Sequence, residues 1–588
     1  MATLLADTAH TIELPRSSKQ HATISISTPT SPEETVEEWL TRFSTVMASS
    51  DASKLREVFH PRGWWRDHLA VSWDFRTING ISELTEFLRP VIAEIGFQNI
   101  TAVKHGKFVP SVVKPIDGLE WVESMFTFET NIGTGKGMLR LVKNDGSWVA
   151  HMLYTSLQHL KGVEELLGDN RSHGGNNSLE GGVSSGNWFE RRQRQKDLIG
   201  EDPTVFVVGA GQAGLNIAAR LQVMGVSTLI VDKNERVGDN WRSRYRTLVT
   251  HDPIQYCHMS YLPFPKTWPL FIAKDKLADW FEIYASAMEL NIWQQTTIKN
   301  AEYSDERKCW TVEVTRHNGS TRILKPKHVV FCTGQAGEPR IPHFPGQGDF
   351  KGKVYHGSQH KDASDGGDVR GKKVVVVGTG NSGHDIAQNY YECGANVQIL
   401  QRRGTYVIQA NKGLFMLHHG LYDEHGPPTD DADVYGQSLP IPVQFALNVD
   451  MTNRIREAEA DNIEGLQKAG FKLDFGHDGS GIYRKYITRG GGYYIDVGAS
   501  QLIIDGKISI IQSLDGIRAF ESDGLVLAND QKLEADIVVL ATGFDNMRTT
   551  LRKSLGDKIA NRCGDVWDLD NEGEVNTVSG SKHLILCQ

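Results

Sequence analysis

Cysteine is scarce in this 588-residue chain, with six residues at positions 257, 309, 332, 393, 563 and 587. None stands in a CxxC pair or at zinc-ligand spacing, which argues against a disulfide framework and a structural metal and points to free thiols in a reducing compartment. The chain also lacks any run of roughly 18 apolar residues that would span a membrane. Its first residues have neither the basic start nor the apolar stretch of a secretory leader. No long Lys/Arg run appears, and the formal net charge is −9. Nucleic acid and membrane are therefore not expected as partners, and the expectation is a soluble, cytoplasmic protein acting on a small molecule. Glycine, by contrast, is plentiful at 58 residues. The length exceeds what one hydrophobic core supports, so two or three domains are expected.

Residues 1–30 are rich in Ser and Thr without a sustained period and read as a loose tail. Thr30-Ser31-Pro32-Glu33-Glu34 carries the chemistry of a helix start, with a hydroxyl cap, proline in the first turn and early acids. An amphipathic helical stretch is expected from there to about Phe59. From about Val103 the pattern alternates through 121–130, 137–143 and 148–157, separated by Gly and Asn/Asp-Gly turns. Residues 31–165 are thus expected to form an α+β domain, helices first and a curled antiparallel sheet after them. The Gly/Ser/Asn stretch 167–187 has too little apolar content to fold, and with a short charged helix it makes 166–200 a linker. Beyond Pro203, β-branched runs alternate with helical stretches, the pattern of an α/β fold on a parallel sheet.

The run Val205–Val208 leads at once into Gly209-Ala210-Gly211-Gln212-Ala213-Gly214 and a helical stretch to Met224. Strand, tight turn and helix are the context in which a GxGxxG segment holds a dinucleotide. Gly209 permits the turn, Gly211 lets a pyrophosphate reach the backbone, and Gly214 lets helix and strand pack closely. The helix start offers unpaired N–H groups to the phosphates. A second run, Thr228–Val231, ends in Asp232, 23 residues after Gly209, where a carboxylate meets ribose hydroxyls. The same grammar recurs in Lys373–Val377 followed by Gly378-Thr379-Gly380-Asn381-Ser382-Gly383. Here the following run, Asn396–Gln401, ends in Arg402-Arg403, which suits the 2′-phosphate of NADP rather than NAD. Two nucleotide folds in one chain imply electron traffic between a hydride donor and a flavin. Disulfide reductases and oxygenases both do this; the former need a close cysteine pair, and Cys309 and Cys332 are 23 residues apart.

Over roughly 203–570 these residues resemble the flavin-containing monooxygenase superfamily, which includes Baeyer–Villiger oxygenases and the plant oxygenases of indole-3-pyruvate. Phe350-Lys351-Gly352-Lys353-Val354-Tyr355-His356 fits the family's FxGxxxH identifier, although His360 stands where an aromatic is usual. Val237-Gly238-Asp239-Asn240-Trp241-Arg242 is similar to the GGxW segment that lines the flavin. Phe331-Cys332-Thr333-Gly334 and Ala541-Thr542-Gly543-Phe544-Asp545 resemble the ATG strands that link the two nucleotide folds. His251 aligns with an asparagine that acts near the flavin in part of the superfamily. The resemblance implies FAD in the first fold, 201–335 with a return at 516–588, and NADPH in the second, 336–515, with a helical insert. It implies that NADPH reduces FAD, that dioxygen forms a flavin hydroperoxide, and that this oxygenates a nitrogen or sulfur nucleophile or a carbonyl compound such as a 2-oxo acid. His251 and His356 are the catalytic candidates it supplies, His356 chiefly in positioning. Cofactor contacts are implied for Gly238, Trp241, Arg242, Thr333, Gly334 and Asp545, beside Gly209, Gly211, Gly214 and Asp232 at the first turn. At the second they are Gly378, Gly380, Asn381, Ser382, Gly383 and Arg402.

The first domain resembles the nuclear transport factor 2-like cone, with dimerisation or substrate shielding as its expected work. His60, Asp67, His68 and His151 read there as packing or surface groups ahead of a catalytic set. After the second ATG strand the superfamily adds a strand, a turn and a helix, and 579–588 leaves no room for that helix. A shortened flavin-binding part with weaker FAD affinity is the expectation. An NADPH oxidase without substrate, a flavin-free regulatory protein and a disulfide reductase stay open as rival functions.

Overall fold

In the computed structural model of the chain, the described residues are 12, 14, 31–174 and 186–576, with 584–586 as backbone. The Gly/Ser stretch 175–185 and most of the expected tail lie outside them. Ile12 and Leu14, inside that tail, nevertheless pack against the cluster of Trp64, Ile116, Trp121 and Val443.

The helix Pro32–Ala48 starts where its cap chemistry places it. Ser31 Oγ accepts from the Glu34 amide and a Glu34 carboxylate oxygen accepts from the Ser31 amide, each at 3.1 Å. It ends at Ala48, not near Phe59; a short 3-10 turn, Ala52–Glu57, follows, and Phe59–His68 is already a strand. That strand escapes a pattern reading because Trp64, Trp65, Arg66 and Asp67 are buried in succession, so it shows no alternation. It sits second in a seven-stranded sheet, between Phe75–Asn79 and Ser147–Leu160, and runs parallel to the latter. The remaining pairings in this sheet are antiparallel. One face takes the helices on Trp39, Phe43, Trp65, Phe126 and Phe128. The other face lies against the helices of the later insert through Trp64, Trp121, Met152 and Val443.

The first nucleotide fold is a parallel sheet in the order Ile292–Trp293, Thr228–Val231, Val205–Val208, His328–Phe331 and Leu584–Leu586. The second is a parallel sheet in the order Lys353–His356, Ile537–Leu540, Lys373–Val377, Asn396–Gln401 and Ile508–Gln512. Because Ile537–Leu540 lies inside the second sheet, the return to the first fold begins after Leu540 rather than at 516. The two crossing segments, Ala336–Pro339 and Phe544–Asn546, pair antiparallel. The helical insert is bracketed by a parallel pair, Tyr406–Gln409 and Tyr493–Asp496. Between them run the helices Gly413–His418, Thr429–Gln437, Ile441–Ala458, Ala460–Lys468 and Gly481–Arg489.

Trp65 is wholly buried, stacks on Phe59 at 5.8 Å and donates its indole N–H to Thr155 Oγ1 at 2.8 Å. Trp65→Ala removes a wholly buried indole from this core and takes away the donor to the Thr155 hydroxyl, which keeps its own bond to Asp67 at 2.6 Å. Denaturant unfolding is expected to register a loss of about 3–5 kcal/mol.

Candidate functional site

The two glycine turns are built alike. Gly209 has φ +107°, and a Cβ there would stand 2.3 Å from the Cys332 carbonyl oxygen; Gly378 has φ +120° with the Ala541 carbonyl oxygen at 2.4 Å. A Cβ at Gly214 would strike the Gly209 carbonyl at 1.9 Å, and one at Gly383 the Gly378 carbonyl at 2.2 Å. These four positions are closed to any side chain by backbone. The middle glycines differ: a Cβ at Gly211 meets nothing nearer than Asn240 Nδ2 at 3.4 Å, and at Gly380 nothing nearer than the Tyr493 carbonyl at 3.8 Å. Gly211 and Gly380 cap the 12-residue helices Gln212–Val223 and Asn381–Glu392, with no side-chain cap on either. Each helix thus starts with uncapped N–H groups behind an open glycine, the donor set that fits a pyrophosphate.

At the far end of each turn the charges differ. Asp232 Oδ2 accepts from the Ala210 amide at 2.7 Å and Oδ1 from the Asn234 amide at 2.8 Å, so the carboxylate is fixed against the first turn. Arg402 and Arg403 are exposed after Asn396–Gln401, and among the described residues neither makes an ion pair or hydrogen bond. Thr379 and Thr405 hydroxyls, 2.6 Å apart, tie the second turn to the segment that carries them.

Other expected contacts are placed less directly. Gly238, φ +91°, presses on the Ala278 backbone of the helix Lys274–Ala287, and Trp241 is half-buried beside it. Arg242, expected to line a nucleotide, is instead held by Asp239, Asp279 and Glu282 at 2.9–3.1 Å and by the Val237 carbonyl at 2.8 Å. Thr333 and Gly334 are exposed at the end of His328–Phe331. Asp545 pairs with Arg340 at 3.1 Å across the two crossing segments.

His251 lies between the two folds. Asn381 Oδ1 accepts from the Ile495 amide at 2.8 Å, so its Nδ2 donates to His251 Nδ1 at 3.1 Å. That leaves the His251 proton on Nε2, 4.0 Å from Asp385 Oδ2. Tyr245 donates its hydroxyl to the same oxygen at 2.5 Å. Burial pushes the Asp385 carboxyl above its ordinary value, against the pull of His251 and the Tyr245 hydroxyl. Asp385 Oδ1 is buried without a partner among the described residues. Ser382 adjoins the Tyr245 hydroxyl. The Tyr245–Asp385 pair was not anticipated from the sequence; it forms only through tertiary folding, and no spacing rule marks it.

His356 does not join this group. The Ser358 amide donates to its Nδ1 at 3.1 Å, and its Nε2 donates to the Gly543 carbonyl at 3.1 Å. Both ring nitrogens hold backbone, and burial depresses its pKa, so His356 is a neutral tie between a strand end and the second crossing turn. The substitute His360 is likewise bound, by Tyr355 at 2.8 Å and Asn389 at 3.0 Å.

The insert covers the loop after His251. His418 meets Asp252 at 3.4 Å, Gln255 donates to Glu424 at 2.7 Å, and His258 pairs with Asp433 at 3.2 Å. Tyr256 is 44% exposed yet stands 4.9 Å from the Tyr422 ring and 5.1 Å from that of His418, the environment of a ring lining a cleft. A cavity of about 300 Å³ opens near the Tyr493–Asp496 strand, lined by Phe271, Ala410, Asn411, Asp496 and Gly498.

Residues 205–414 match the family described as flavin-binding monooxygenase-like. Over this segment the chain is similar to flavin-containing monooxygenases. A probable indole-3-pyruvate monooxygenase of Arabidopsis thaliana, YUCCA3, is 29% identical over 351 residues, 58% of this chain and 72% of that protein. Indole-3-pyruvate monooxygenase YUCCA1 of Oryza sativa subsp. japonica is 28% identical over 356 residues, 60% of this chain and 80% of that one. An ε-caprolactone-bound structure of cyclohexanone monooxygenase overlays with a TM-score of 0.47 at 18% identity, covering 65% of this chain and 82% of that one. The likeness rests on the family match and the sequence relatives. The family description is that of flavin-binding monooxygenases, and these relatives are named as monooxygenases. No helix among the described residues is long and apolar enough to cross a membrane, and the five described cysteines are all free.

The hydrogen bond that His258 donates to the Asp433 carboxylate raises its pKa, against burial and with the help of the Asp433 and Asp430 charges. A raised imidazole contributes its pairing in full below its ordinary value of about 6.5 and loses it as pH rises through the elevated value. The difference in Tm between the wild type and His258→Gln is therefore expected to be largest below about pH 6.5 and to vanish in alkaline buffer.

Proposed function

We propose that the first glycine turn holds FAD and the second holds NADPH, and that the enzyme oxygenates a small carbonyl compound of the 2-oxo acid kind. The observation that carries the first part is the paired construction of the turns with unlike ends. Asp232 is fixed beside one turn, ready for ribose hydroxyls. Arg402 and Arg403 stand unengaged beyond the other, where a 2′-phosphate would sit. Gly209, Gly211 and Gly214, with Gly238, Trp241, Thr333, Gly334 and Asp545, belong to the FAD side; Gly378, Gly380, Asn381, Ser382, Gly383 and Arg402 belong to the NADPH side. When bound, the flavin supplies the oxygen chemistry at the expense of NADPH.

The protein's part is to aim the reactants and keep water out. Asn381 opens the second helix and also holds His251, so seating of the nicotinamide nucleotide and placement of that histidine are coupled. His251, on Asn381 and beside Asp385, is the side chain offered to the reacting groups. The 2-oxo acid reading draws support from relatives named as indole-3-pyruvate monooxygenases. A soft nitrogen nucleophile is the second reading, favoured by the tyrosines around Asp252: that carboxylate helps raise the phenols of Tyr256, Tyr486 and Tyr493, and aromatic rings about an acid suit a cationic amine. Residues 31–165 are read as a nuclear transport factor 2-like cone fused in front.

The middle glycines give a test that separates binding from folding. Gly211→Ala and Gly380→Ala meet no backbone closer than 3.4 Å, so both variants are expected to keep the wild-type Tm. Gly211→Ala is expected to purify with little flavin absorbance. Gly380→Ala should stay yellow and lose about tenfold or more in NADPH affinity, measured by anaerobic titration. A colourless wild type after reconstitution with FAD would remove the reading.

Arg402→Gln tests the nucleotide preference. Loss of a charge-assisted phosphate contact, worth about 1.5–3 kcal/mol, predicts a rise of roughly 10- to 150-fold in KM for NADPH. The KM for NADH should stay within about twofold, because the changed group faces only the 2′-phosphate.

A further inference from the structure

The most deeply buried ion pair among the described residues has no part in the nucleotide sites. Arg66, in the strand Phe59–His68, is 1% exposed and donates two parallel hydrogen bonds to Glu574, at 2.8 and 2.6 Å, across 508 residues of sequence. Its remaining nitrogen donates to the carbonyls of Gln437 at 2.5 Å and Leu439 at 3.1 Å, where the helix Thr429–Gln437 ends. Glu574, also 1% exposed, accepts further from Thr77 Oγ1 at 2.8 Å and has His68 Nε2 at 3.8 Å. Although burial alone would raise it, the Arg66 charge holds the Glu574 carboxyl well below its ordinary range. Arg76 grips Glu572 on the same turn.

The rest of that sheet face is built to the same end. Arg140, wholly buried, lies 3.2 Å from Glu123, donates to Ser438 Oγ at 2.9 Å and lies over the ring of Tyr435. Phe108 stacks on Tyr435 at 4.5 Å, and Lys136 pairs with Asp431 at 2.6 Å. Burying two arginines on one face is costly unless acceptors are supplied; Arg66 takes all of its acceptors from the insert and the turn 570–574, while Arg140 takes Ser438 of the insert and Glu123 of its own sheet and leaves Nη1 without a partner among the described residues.

From Glu574 a chain of contacts runs to the cleft. The Asp570 carboxylate accepts from the Glu572 and Glu574 amides, each at 2.9 Å, which makes the turn rigid. A few residues earlier, the Asp568 amide donates to the Ile487 carbonyl at 3.1 Å, and the Trp567 ring lies against Gly490, where a Cβ would stand 2.3 Å from it. Trp567 meets Tyr486 edge-on at 6.0 Å, and Tyr486 meets Tyr493 at 6.4 Å. Tyr493 begins the strand whose Ile495 amide holds Asn381 and, through it, His251.

We infer that the N-terminal unit is an internal brace for the oxygenase: Arg66 grips Glu574 and the end of Thr429–Gln437, and Glu574 is thereby a positioning residue for the Trp567–Tyr486 wall of the cleft. The assignment of that wall to the substrate side rests on the function proposed above; the brace itself does not. Glu574→Gln keeps the shape of the side chain and leaves the Arg66 charge buried without a counter-charge.

Amide hydrogen exchange on the full chain without added cofactor tests this. Exchange in 429–447, 481–490 and 565–576 is expected to quicken at least about tenfold in Glu574→Gln, while 205–231 and 373–401 keep wild-type rates. Arg66→Lys, which retains charge but loses the fork, is expected to loosen the same three segments to a lesser degree, and serves if the first variant does not fold. With NADPH supplied, the KM for NADPH should be unchanged in the variant while peroxide released per NADPH consumed rises, because a loosened wall admits water. Wild-type exchange in those segments in both variants, or loosening spread evenly over the nucleotide sheets, overturns the brace. Exchange confined to the three segments with NADPH and FAD both failing to bind would uphold it and defeat the proposed function instead.

Discussion

Everything on the nucleotide side of the molecule depends on how closely a glycine can approach a neighbouring strand. Gly209 against the Cys332 carbonyl and Gly378 against the Ala541 carbonyl are contacts no other residue can make, because backbone would have to move. The approach brings each turn down on its sheet and aims the following helix start outward, where its amides are free for an anion. The positions of Asp232, Asn381, Asp385 and Arg402 all follow from it, since each is counted along the chain from one of the two turns.

The two folds then meet through few polar contacts. Asn381 touches both the insert strand and His251, while Asp385 takes the Tyr245 hydroxyl and faces the same histidine. A carboxyl whose pKa burial has raised, with one oxygen lacking a partner, is a stressed group. It sits on the helix that opens at the second turn. The insert meets this region through histidine–carboxylate pairs and through the rings around Tyr256.

How far the sequence foretold this depends on range. Val205–Val208, Thr228–Val231, Lys373–Val377 and Asn396–Gln401 were legible to the residue, because short β-branched runs ended by glycine or charge have no competing reading. The cap at Ser31 was legible for the same local reason. Phe59–His68 was not: four successive buried residues erase the period on which a strand is recognised. Tyr245 and Asp385 are 140 residues apart and Arg66 and Glu574 508, and nothing local marks either pair. The pairing of Arg242 with Asp279 and Glu282, acids remote along the chain, is equally unmarked in the sequence.

The salt-bridged turn at 570–574 also bears on whether the front unit is a removable module. A cut in the linker near residue 175 would separate two pieces that look independent on paper. The rear piece would then carry Glu572, Glu574 and the carbonyls of Gln437 and Leu439 stripped of their arginines, next to a bared Val443 and Tyr435. Each half would then turn to water the charges and rings that now bury one another.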